Sequence, residues 1–406
     1  MVASRARIRK KLCPCQTISI DDKCRSKRND AKTTIHSCYA MSAPERFDAV
    51  VVGAGPAGST AARNLALDGA SVLLVDRRRF PRPKPCGGGL TPKAYRQLDF
   101  DISDIVRARH AGTILRGAGV PPFTIGDPRA EVWMVDRVAF DLRLVDQAVA
   151  AGVTFHDGES VVSVTDGGHS RVTTSSGVYS ARLVVAADGS ESPIARARGL
   201  RKDRDRRVVV ALEAEAPGRS MTSNGPVIDF DIPGGYAWIF PKNDLLNVGL
   251  GTFDANAFLS LRARLSAFVD RSGVVFDEAP KIVGHRIPYG GHREPLHAGN
   301  VILVGDAAGL ADGLFAEGIA YAIRSGRLAA AEAGRFVRGE TADLARYTRR
   351  IHGTLLRDLR AWRALGQLIY RWPGVSMRLL RVSSRARDVA ALAIAGDRSL
   401  SKVWSS

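Results

Sequence analysis

The sequence predicts an α/β protein in which a Rossmann-like nucleotide-binding domain is interleaved with an α+β domain built on an antiparallel sheet, followed by C-terminal helices. The first observation is a β-α-β pattern. An apolar run at 47–52 leads into a glycine-rich turn, a helical segment follows at 57–67, and a second apolar run at 71–75 ends in Asp76. Short continuous apolar runs of this kind are typical of parallel strands buried on both faces.

Two further observations complete the fold class. Apolar runs return at 183–187 and 301–304, and each ends in a pair formed by aspartate and glycine. Residues 208–285 alternate apolar and polar side chains as strands do, apart from a helical stretch near 255–269, and the C-terminal region is helical in composition. The remaining predicted elements are a helix over 135–152, strands over 153–164 and 171–174, and a long helix from about residue 316.

The order of these elements predicts the domain organisation. The nucleotide-binding domain is assembled from segments that are distant in sequence, and the substrate domain is inserted between them. A charged stretch, "RKDRDRR", links the two near residue 201. The predicted segments are 46–100, 130–200 and 286–345 for nucleotide binding, 101–129 and 201–285 for substrate binding, and 346–406 for the C-terminal helical region.

Composition and charge narrow the function classes. The chain has 406 residues, of which 45% are hydrophobic and 25% charged, so a sizeable core can form and general disorder is excluded. The net charge of +18 favours an anionic partner such as a membrane surface or a phosphorylated ligand. No nucleic-acid-binding module is recognisable, so no nucleic acid partner is expected. No apolar run reaches the ~18 residues of a spanning helix. The N-terminus lacks the apolar core of a secretory signal, and a body with one cysteine fits a reducing compartment, so a cytoplasmic protein is predicted. The basic charge fits a peripheral position on the cytoplasmic side of the membrane, and the oligomeric state stays open.

Residues 1–45 form a basic extension that is not predicted to join the fold. They lack hydrophobic periodicity and hold four of the five cysteines. No further cysteine pair or histidine follows at zinc-finger spacing, so no metal site is predicted. An upstream start codon wrongly chosen, a disordered tail and an organellar transit peptide each fit this stretch, and the first is favoured because Met41 opens a natural-looking start.

The clearest motif is the fingerprint Gly53-x-Gly55-x-x-Gly58, with Asp76 eighteen residues after its last glycine. It follows a predicted strand and opens a predicted helix, the context that separates a dinucleotide-binding turn from a glycine-rich turn without ligand. The glycines allow a tight turn, close approach to a pyrophosphate and close packing of helix on strand, and the carboxylate accepts hydrogen bonds from ribose hydroxyls. The candidate cofactor-binding residues here are Gly53, Ala54, Gly55, Pro56, Ala57, Gly58, Asp76 and Arg77.

The stretches "LVVAADG" at 183–189 and "VILVGDAAG" at 301–309 each fit a strand-terminating turn when taken alone. Together, in this order after the fingerprint, they resemble the FAD-binding pattern of the p-hydroxybenzoate hydroxylase-like flavoproteins. The resemblance implies FAD as cofactor, with Asp306 at its ribityl chain, Arg137 nearby and the helix that begins near Gly318 aimed at the flavin pyrimidine ring. No second fingerprint follows, so no separate NAD(P)H domain is predicted, and the electron donor, NAD(P)H or a reduced protein carrier, stays open. The further cofactor-binding candidates are Arg137, Val161, Asp188, Gly189, Gly305, Asp306, Gly318 and Ile319.

Three stretches resemble the geranylgeranyl reductase family more specifically. They are "FPRPKPCGGGLTP" at 80–92, "PGGYAWIFP" at 233–241 and "GDAAGLADGLFAEGIAYAIRSG" at 305–326. The resemblance covers residues 46–340, most of the chain. It implies an FAD-dependent reductase that saturates isoprenoid carbon–carbon double bonds of a prenyl diphosphate, prenylated lipid or quinone by hydride transfer from reduced flavin. The implied partner is therefore a prenyl-chain substrate.

The aromatic residues of the second stretch are substrate-binding candidates. Tyr236, Trp238 and Phe240 alternate, so in a strand they share one face. Such a face is either a wall for a flat or greasy ligand or ordinary core packing, and the flavin pattern favours the wall. Tyr236 also offers a hydroxyl that could orient substrate or a water. Phe315 is the fourth substrate-binding candidate.

Cys86 raises two hypotheses. In the family the loop that carries it approaches the flavin ring, and Gly87 and Gly88 would let the backbone come close to the isoalloxazine. The thiol, close to Lys84 in sequence, either delivers the proton to the prenyl carbon or is a small residue that fits under the ring. The catalytic candidates are Cys86, Tyr236 and Trp238, and Cys86, Gly87 and Gly88 are also cofactor-binding candidates.

One departure from the family concerns the loop before the last long helix. Relatives often have a proline and Gly-Glu-Gly there, whereas this chain has Asp312-Gly313-Leu314-Phe315-Ala316-Glu317-Gly318. Asp312 and Ala316 are expected to reshape the loop over the flavin.

Two questions stay open: what the C-terminal helical stretch contacts, and which function the fold performs. The helical stretch around Trp362 mixes leucines with arginines, which fits an interfacial membrane contact or packing with a solvated basic face. An FAD-dependent monooxygenase on the same fold is the first alternative function, because fold does not fix chemistry. A non-catalytic prenyl-binding escort protein is the second, and the intact glycines with Asp76 count against it.

Overall fold

The structure, a computed structural model, describes residues 44–128, 131–200, 207–291 and 293–396. The chain divides into Met1–Ser42 and Ala43–Ser406, and every described residue belongs to the second unit. The predictions made for the basic extension before residue 44 and for the charged linker at 201–206 lie outside the described residues.

The first sheet has a parallel centre of apolar strands. Strand β1 (Glu45–Val52) lies between β2 (Val72–Asp76) and β11 (Val178–Ala186), parallel to both. Its apolar run is buried, as is typical of a central strand in a parallel sheet. Helix α1 (Pro56–Leu67) connects β1 to β2, which confirms the predicted β-α-β unit. The other strands are β8 (Thr154–Asp157), β9 (Val161–Thr165), β10 (Ser170–Thr174), β18 (His297–Ala298) and β19 (Val301–Leu303). Their order is β18-β19-β11-β1-β2-β8, with β10 paired to β11 and to β9.

The stretch predicted as one strand over 153–164 is two strands, so that prediction is wrong. The chain turns between β8 and β9 at Gly158, whose φ is +68°. The amides of Gly158 and Glu159 donate to the carbonyls of Arg78 at 3.2 Å and Asp76 at 2.9 Å. This turn binds the end of β2, so that β8 runs parallel to β2 whereas β9 pairs antiparallel with β10.

Helix α3 (Arg137–Ala150) confirms the helix predicted over 135–152, and the apolar residues spaced four apart on it are buried. Asp136 caps its first turn, because Oδ1 accepts a hydrogen bond of 2.8 Å from the amide of Val138. The residues just before this cap belong to a small antiparallel sheet. Its strands, in spatial order, are β3 (Gly89–Leu90), β7 (Val132–Val135) and β4 (Val106–His110).

The second large sheet is antiparallel except for one parallel pair, and the strand alternation predicted for 208–285 is confirmed. The helical stretch near 255–269 is a short 3-10 turn followed by α5 (Leu261–Arg271), whose apolar side packs on this sheet. The strands are β5 (Thr113–Gly117), β6 (Val120–Ile125), β12 (Val208–Ser220), β13 (Val227–Asp229), β14 (Gly235–Lys242), β15 (Leu245–Thr252), β16 (Val274–Phe276) and β17 (Ile282–Pro288). Their order is β16-β12-β15-β14-β13-β5-β6, with β17 beside β12. The domain boundaries stay a prediction.

The helices after residue 318 close one side of the molecule. The backbone of the loop before α6 (Ile319–Val337) closely approaches that of α8 (Leu355–Arg371). A Cβ at Gly366 would lie only 2.0 Å from the carbonyl oxygen of Gly313. Tyr370 Oη donates to the carbonyl of Leu314 and holds the same loop. No helix among the described residues is long and apolar enough to span a membrane. The helices are α6 (Ile319–Val337), α7 (Ala345–Gly353), α8 (Leu355–Arg371), α9 (Pro373–Val382) and α10 (Ser384–Ala395), besides the short α2 (Pro92–Tyr95) and α4 (Pro193–Ala197).

Candidate active site

One cavity of about 850 Å³ brings the predicted site residues together. It lies where the carboxyl ends of the parallel strands face the antiparallel sheet, the position at which open α/β sheets bind ligands. All four substrate-binding candidates line it. So do these cofactor-binding candidates: Gly53, Gly55, Pro56, Ala57, Asp76, Arg77, Cys86, Gly87, Gly88, Arg137, Val161, Asp188, Gly189, Asp306, Gly318 and Ile319. Ala54, Gly58 and Gly305 are not among the lining residues.

The fingerprint glycines are required by close backbone approach. Gly53 has a φ of +101°, and a Cβ on it would lie 2.3 Å from the carbonyl oxygen of Ala187. A Cβ on Gly58 would lie 1.8 Å from the carbonyl oxygen of Gly53, so helix α1 could not begin where it does with any other residue. At Gly55, by contrast, a Cβ would meet only Arg82, at 3.9 Å, and would occupy the cavity. The turn is therefore tightly packed at Gly53 and Gly58, and it is open to the cavity at Gly55.

Asp76 ends β2 at the rim of this turn. Its Oδ2 accepts a hydrogen bond of 2.8 Å from the amide of Ala54, and its Oδ1 accepts one of 2.9 Å from the amide of Arg78. The buried guanidinium of Arg82 lies 3.6 Å from Asp76 and 3.2 Å from Asp141. Sequence reasoning missed Arg82, because an arginine in a proline-rich loop carries no signal of which carboxylates it will meet.

Arg137 lines the cavity at the start of α3. It donates hydrogen bonds of 3.0 Å and 3.1 Å to the two oxygens of Asp141, which is fully buried one turn further along the helix. Burial opposes the positive charge of Arg137, but the Asp141 carboxylate and a hydrogen bond to Cys86 outweigh it and raise the pKa of the guanidinium. A permanent positive charge therefore stands beside the Cys86 side chain.

The loop that carries Cys86 is attached to the antiparallel sheet. The amide of Cys86 donates a hydrogen bond of 2.7 Å to Oε1 of Glu213 on β12, and the amide of Gly88 donates to the Cys86 sulfur at 3.4 Å. Burial raises the pKa of Glu213. Sequence reasoning missed Glu213, although a carboxylate in an otherwise apolar stretch of strand was a usable signal.

Lys84 and His285 form a second pair that the sequence did not predict. Lys84 Nζ lies 2.7 Å from Nε2 of His285, and both residues line the cavity. Burial lowers the pKa of Lys84. Burial and the neighbouring ammonium lower the pKa of His285 to about 4. At neutral pH the imidazole is therefore uncharged and accepts a hydrogen bond from Lys84.

The aromatic side chains of β14 face one another along the cavity. The ring centroids of Tyr236 and Trp238 are 5.7 Å apart and those of Trp238 and Phe240 are 6.2 Å apart, so the predicted shared face is confirmed. Phe315 approaches Tyr236 edge to face at 5.8 Å. A Cβ on Gly87 would lie 2.7 Å from the Phe240 ring. The glycine loop thus rests directly on this aromatic wall.

A polar network in which Asn247 and Lys242 are buried and Glu215 is exposed stands behind the wall. Trp238 Nε1 donates a hydrogen bond of 2.7 Å to Asn247 Oδ1, and Asn247 Nδ2 donates one of 3.0 Å to Glu215 Oε2. Lys242, only 1% exposed, forms an ion pair with the same carboxylate. A Cβ on Gly88 would lie 2.8 Å from the Lys242 ammonium. The network therefore fixes the indole and the glycine loop together.

The loop before α6 is held by Asp312. Its carboxylate accepts hydrogen bonds of 2.8 Å, 2.7 Å and 3.1 Å from the amides of Leu314, Phe315 and Glu317, although burial raises its pKa. Ala316 adopts a left-handed φ of 52°, a conformation that favours glycine. Tyr236 Oη donates to the carbonyl of Phe315, which ties this loop to the aromatic wall.

The residues of the cavity fit FAD. A glycine turn without Cβ atoms leaves room for a pyrophosphate, and the N-terminus of α1 has no side-chain cap that would compete with an anion there. The Asp76 carboxylate lines the cavity at the end of the second strand, where a ribose is bound in folds of this kind. Fold and site together define an FAD-dependent flavoenzyme.

Comparisons with known proteins agree with this class. The family model of the FAD binding domain matches residues 46–232. A menaquinone reductase from Mycobacterium tuberculosis is 35% identical over 321 residues, which cover 71% of this chain and 77% of that protein. A geranylgeranyl diphosphate reductase from Rhodobacter capsulatus is 32% identical over 343 residues, covering 78% and 83%. The chain belongs to the geranylgeranyl reductase family of FAD-dependent oxidoreductases, and its cofactor is FAD.

A solved structure shows the same fold over the whole length of its chain. The geranylgeranyl bacteriochlorophyll reductase-like protein from Thermoplasma acidophilum superposes with a TM-score of 0.75 at 23% identity and covers 89% of this chain and 100% of its own. The predicted interleaving of a nucleotide-binding fold with an antiparallel sheet, followed by C-terminal helices, is confirmed.

Proposed function

We propose that this enzyme saturates isoprenoid carbon–carbon double bonds of a prenyl diphosphate, a prenylated lipid or a prenylated quinone. The observation that carries the proposal is the contact between the glycine loop and the aromatic wall inside one cavity. That contact places Gly87 of the nucleotide-binding part against Phe240 of the antiparallel sheet. A ligand bound by the wall is therefore adjacent to the loop that, in this family, approaches the flavin.

The cavity suits a hydrocarbon chain. Bound FAD, once reduced, supplies the hydride. An isolated alkene is a poor hydride acceptor, so the residues must hold it close to the flavin and exclude water. The side chains of Leu115, Ile125 and Ile228 line the cavity together with Trp362 and Ile394 from the C-terminal helices. These apolar side chains offer a path for the prenyl chain.

We propose that the Cys86 thiol donates the proton to the substrate, and that Tyr236 and Trp238 have positioning roles. Burial raises the pKa of Tyr236 well above its usual range, and its hydroxyl already donates to the carbonyl of Phe315. Tyr236 is therefore a poor acid that orients the loop and the substrate. The Cys86 sulfur, beside the Arg137 guanidinium, is the better placed donor.

The cofactor-binding candidates that line the cavity would hold the FAD. The N-terminus of α1 and the glycine turn would hold the pyrophosphate, Asp76 the ribose, and Asp306 the ribityl chain. Gly318 precedes α6 directly and lines the cavity, so the positive end of that helix would stabilise negative charge on the reduced flavin.

We also propose that the enzyme works at the surface of a membrane, on the cytoplasmic side. The proposed substrates are lipidic, and the chain carries a net charge of +18, which attracts anionic surfaces.

The mass of the product tests the function. FAD-loaded protein is incubated without oxygen with chemically reduced flavin and either geranylgeranyl diphosphate or a menaquinone in detergent, which makes the natural electron donor unnecessary. A gain of about two mass units per reduced bond is expected. A parallel aerobic sample with NADPH provides the comparison. A gain of about sixteen units that requires oxygen would instead identify a hydroxylase and overturn the proposal.

A further inference from the structure

The C-terminal helices carry a stripe of exposed apolar side chains. Leu368, Trp372, Val375, Leu379 and Val382 are 45%, 54%, 66%, 59% and 77% exposed. Val375, Leu379 and Val382 are spaced four and three residues apart, so they lie along one side of α9. Leu368 lies in the last turn of α8, and Trp372 stands between the two helices. Large apolar side chains exposed singly are ordinary, but a continuous helical stripe indicates a contact surface.

The charge around this stripe has one sign. Residues 359–387 contain seven arginines and no aspartate or glutamate. Arg371, Arg378 and Arg381 are exposed beside the apolar stripe. An apolar face flanked by basic residues and an aromatic side chain is typical of helices that lie in a membrane interface.

Further arginines crowd the adjoining part of α8. A Cβ on Gly290 would lie 3.2 Å from Arg363 Cδ and 3.9 Å from Arg207 Cδ, so these two side chains meet over one turn. Burial and the charges of Arg293 and Arg207 lower the pKa of Arg360, and no carboxylate of the described residues is among the groups that act on it. At 3.6 residues per turn, Arg360, Leu368 and Arg371 fall on one face of α8. The surface therefore has a basic end and an apolar end.

Two of the C-terminal helices also reach the cavity, because Trp362 of α8 and Ile394 of α10 line it.

We propose that the end of α8 and the whole of α9 form a docking surface for an anionic lipid bilayer, in which the apolar stripe enters the interface and the arginines bind headgroup phosphates. A second copy of this chain fits the surface less well, because a symmetric contact would oppose arginines to arginines with no carboxylate between. The chain's own N-terminal segment fits no better, because residues 1–42 carry ten Lys or Arg and three Asp or Glu. The docking surface stands on these observations alone, and only the passage of substrate from the bilayer rests on the proposed function.

Vesicle binding tests the surface. FAD-loaded full-length protein is mixed with vesicles of phosphatidylcholine alone or with phosphatidylglycerol, and the bound fraction is measured by sedimentation. The wild type is expected to bind the anionic vesicles and to be released by salt. Two double variants are compared with the wild type. One combines Trp372→Ser with Leu379→Ser, and the other combines Arg378→Gln with Arg381→Gln. Each should lower the partition coefficient on the order of tenfold or more.

Matched controls change the same residue types elsewhere. Met221→Ser with Leu259→Ser removes two exposed apolar side chains outside the C-terminal helices, and Arg171→Gln with Arg262→Gln removes two exposed arginines on β10 and α5. Both control pairs should bind as the wild type does. Equal binding by all variants, or no binding by the wild type, would overturn the proposal.

Two further readouts separate the possible failures. Turnover of a detergent-solubilised prenyl substrate should be unchanged in the docking variants, so lost vesicle binding with intact turnover supports the surface. Vesicle binding without any prenyl reduction would leave the docking surface supported while the proposed function fails. Oligomeric state is measured by sedimentation velocity. A wild-type dimer that the double variant Trp372→Ser with Leu379→Ser dissociates would identify a contact between copies and refute membrane docking.

Discussion

The backbone amide of Cys86 donates a hydrogen bond of 2.7 Å to the carboxylate of Glu213, 127 residues away along the chain. This bond joins the loop after β2 to β12 of the antiparallel sheet. Because the amide of the cysteine is fixed by the second sheet, the glycines that follow it are fixed as well, and Gly87 lies against the aromatic wall. The proposed site is therefore assembled from both parts of the molecule and requires their correct contact.

Gly87→Ala should impair the site, whereas Gly89→Ala should not. A Cβ at Gly87 would lie 2.7 Å from the Phe240 ring, but at Gly89 the nearest atom would be 3.6 Å away. The first substitution must displace Phe240 or the loop, and kcat with a prenyl substrate should fall on the order of tenfold or more. Gly89→Ala serves as the matched control. Equal activity of both variants would show that the contact between the glycine loop and the aromatic wall is not needed for activity.

Cys86→Ala should slow the proton-dependent step more than Tyr236→Phe. Loss of a general acid lowers the rate by about 100-fold or more, whereas Tyr236→Phe keeps the aromatic ring and removes only the hydrogen bond to the carbonyl of Phe315. The measurement is anaerobic single-turnover reoxidation of reduced enzyme by a prenyl substrate, in water and in deuterium oxide. The solvent isotope effect should rise in Cys86→Ala alone, with the bound-flavin spectrum unchanged. A larger loss in Tyr236→Phe would move the acid to the tyrosine.

Local parts of this site could be predicted from the sequence, and the parts formed by distant residues could not. The glycine turn and Asp76 follow from residues close together in the chain, where local geometry decides the outcome. The partners of the Cys86 loop come from β12 and β17, and no pattern relates Lys84 to His285, 201 residues further on. Glu213 gave a weak signal as a carboxylate in an apolar strand. Its partner is a backbone amide, however, and the sequence gives no sign of which amide a carboxylate will bind.

Strand boundaries show the same limit. The stretch over 153–164 was predicted as one strand although it contains the pair Asp157-Gly158, which is a turn signal. In the structure, amides of this turn bind the end of β2. Such hydrogen bonds depend on where the sheet ends in space. The helix boundaries at Asp136 and Gly318 were nearly correct because capping is a local property.

Ala316→Gly should leave stability unchanged or raise it slightly, unlike an ordinary replacement of alanine by glycine. A left-handed φ costs alanine about 1 kcal/mol or more, and this relief offsets the roughly 0.4–1 kcal/mol that glycine loses through its more flexible unfolded chain. Ala364→Gly, on the exposed side of α8, is the control and should destabilise by about 1 kcal/mol. Urea unfolding of both FAD-loaded variants compares the free energies. An equal loss in the two would show that Ala316 is not strained.

His285→Gln should make the stability of the FAD-loaded protein less sensitive to acid. The ordinary pKa of His285, 6.5, is lowered to about 4 by burial and by the Lys84 ammonium, so between these values the unfolded chain binds more protons than the native one. Stability must then rise with pH across this window, and the contribution of His285 is complete above pH 6.5 and lost as the pH falls to 4. The full shift corresponds to at most roughly 3–4 kcal/mol.

The glutamine can still accept a hydrogen bond from Lys84 but does not titrate, so the comparison isolates protonation of the ring. Urea unfolding at saturating FAD is measured from pH 7 to pH 4 for wild type, His285→Gln and a control, His169→Gln, whose side chain is exposed before β10. The wild type and the control should lose stability in parallel, whereas His285→Gln should lose less. Three parallel curves would mean that His285 is charged in the native state at pH 5, and that the pair with Lys84 does not hold it neutral.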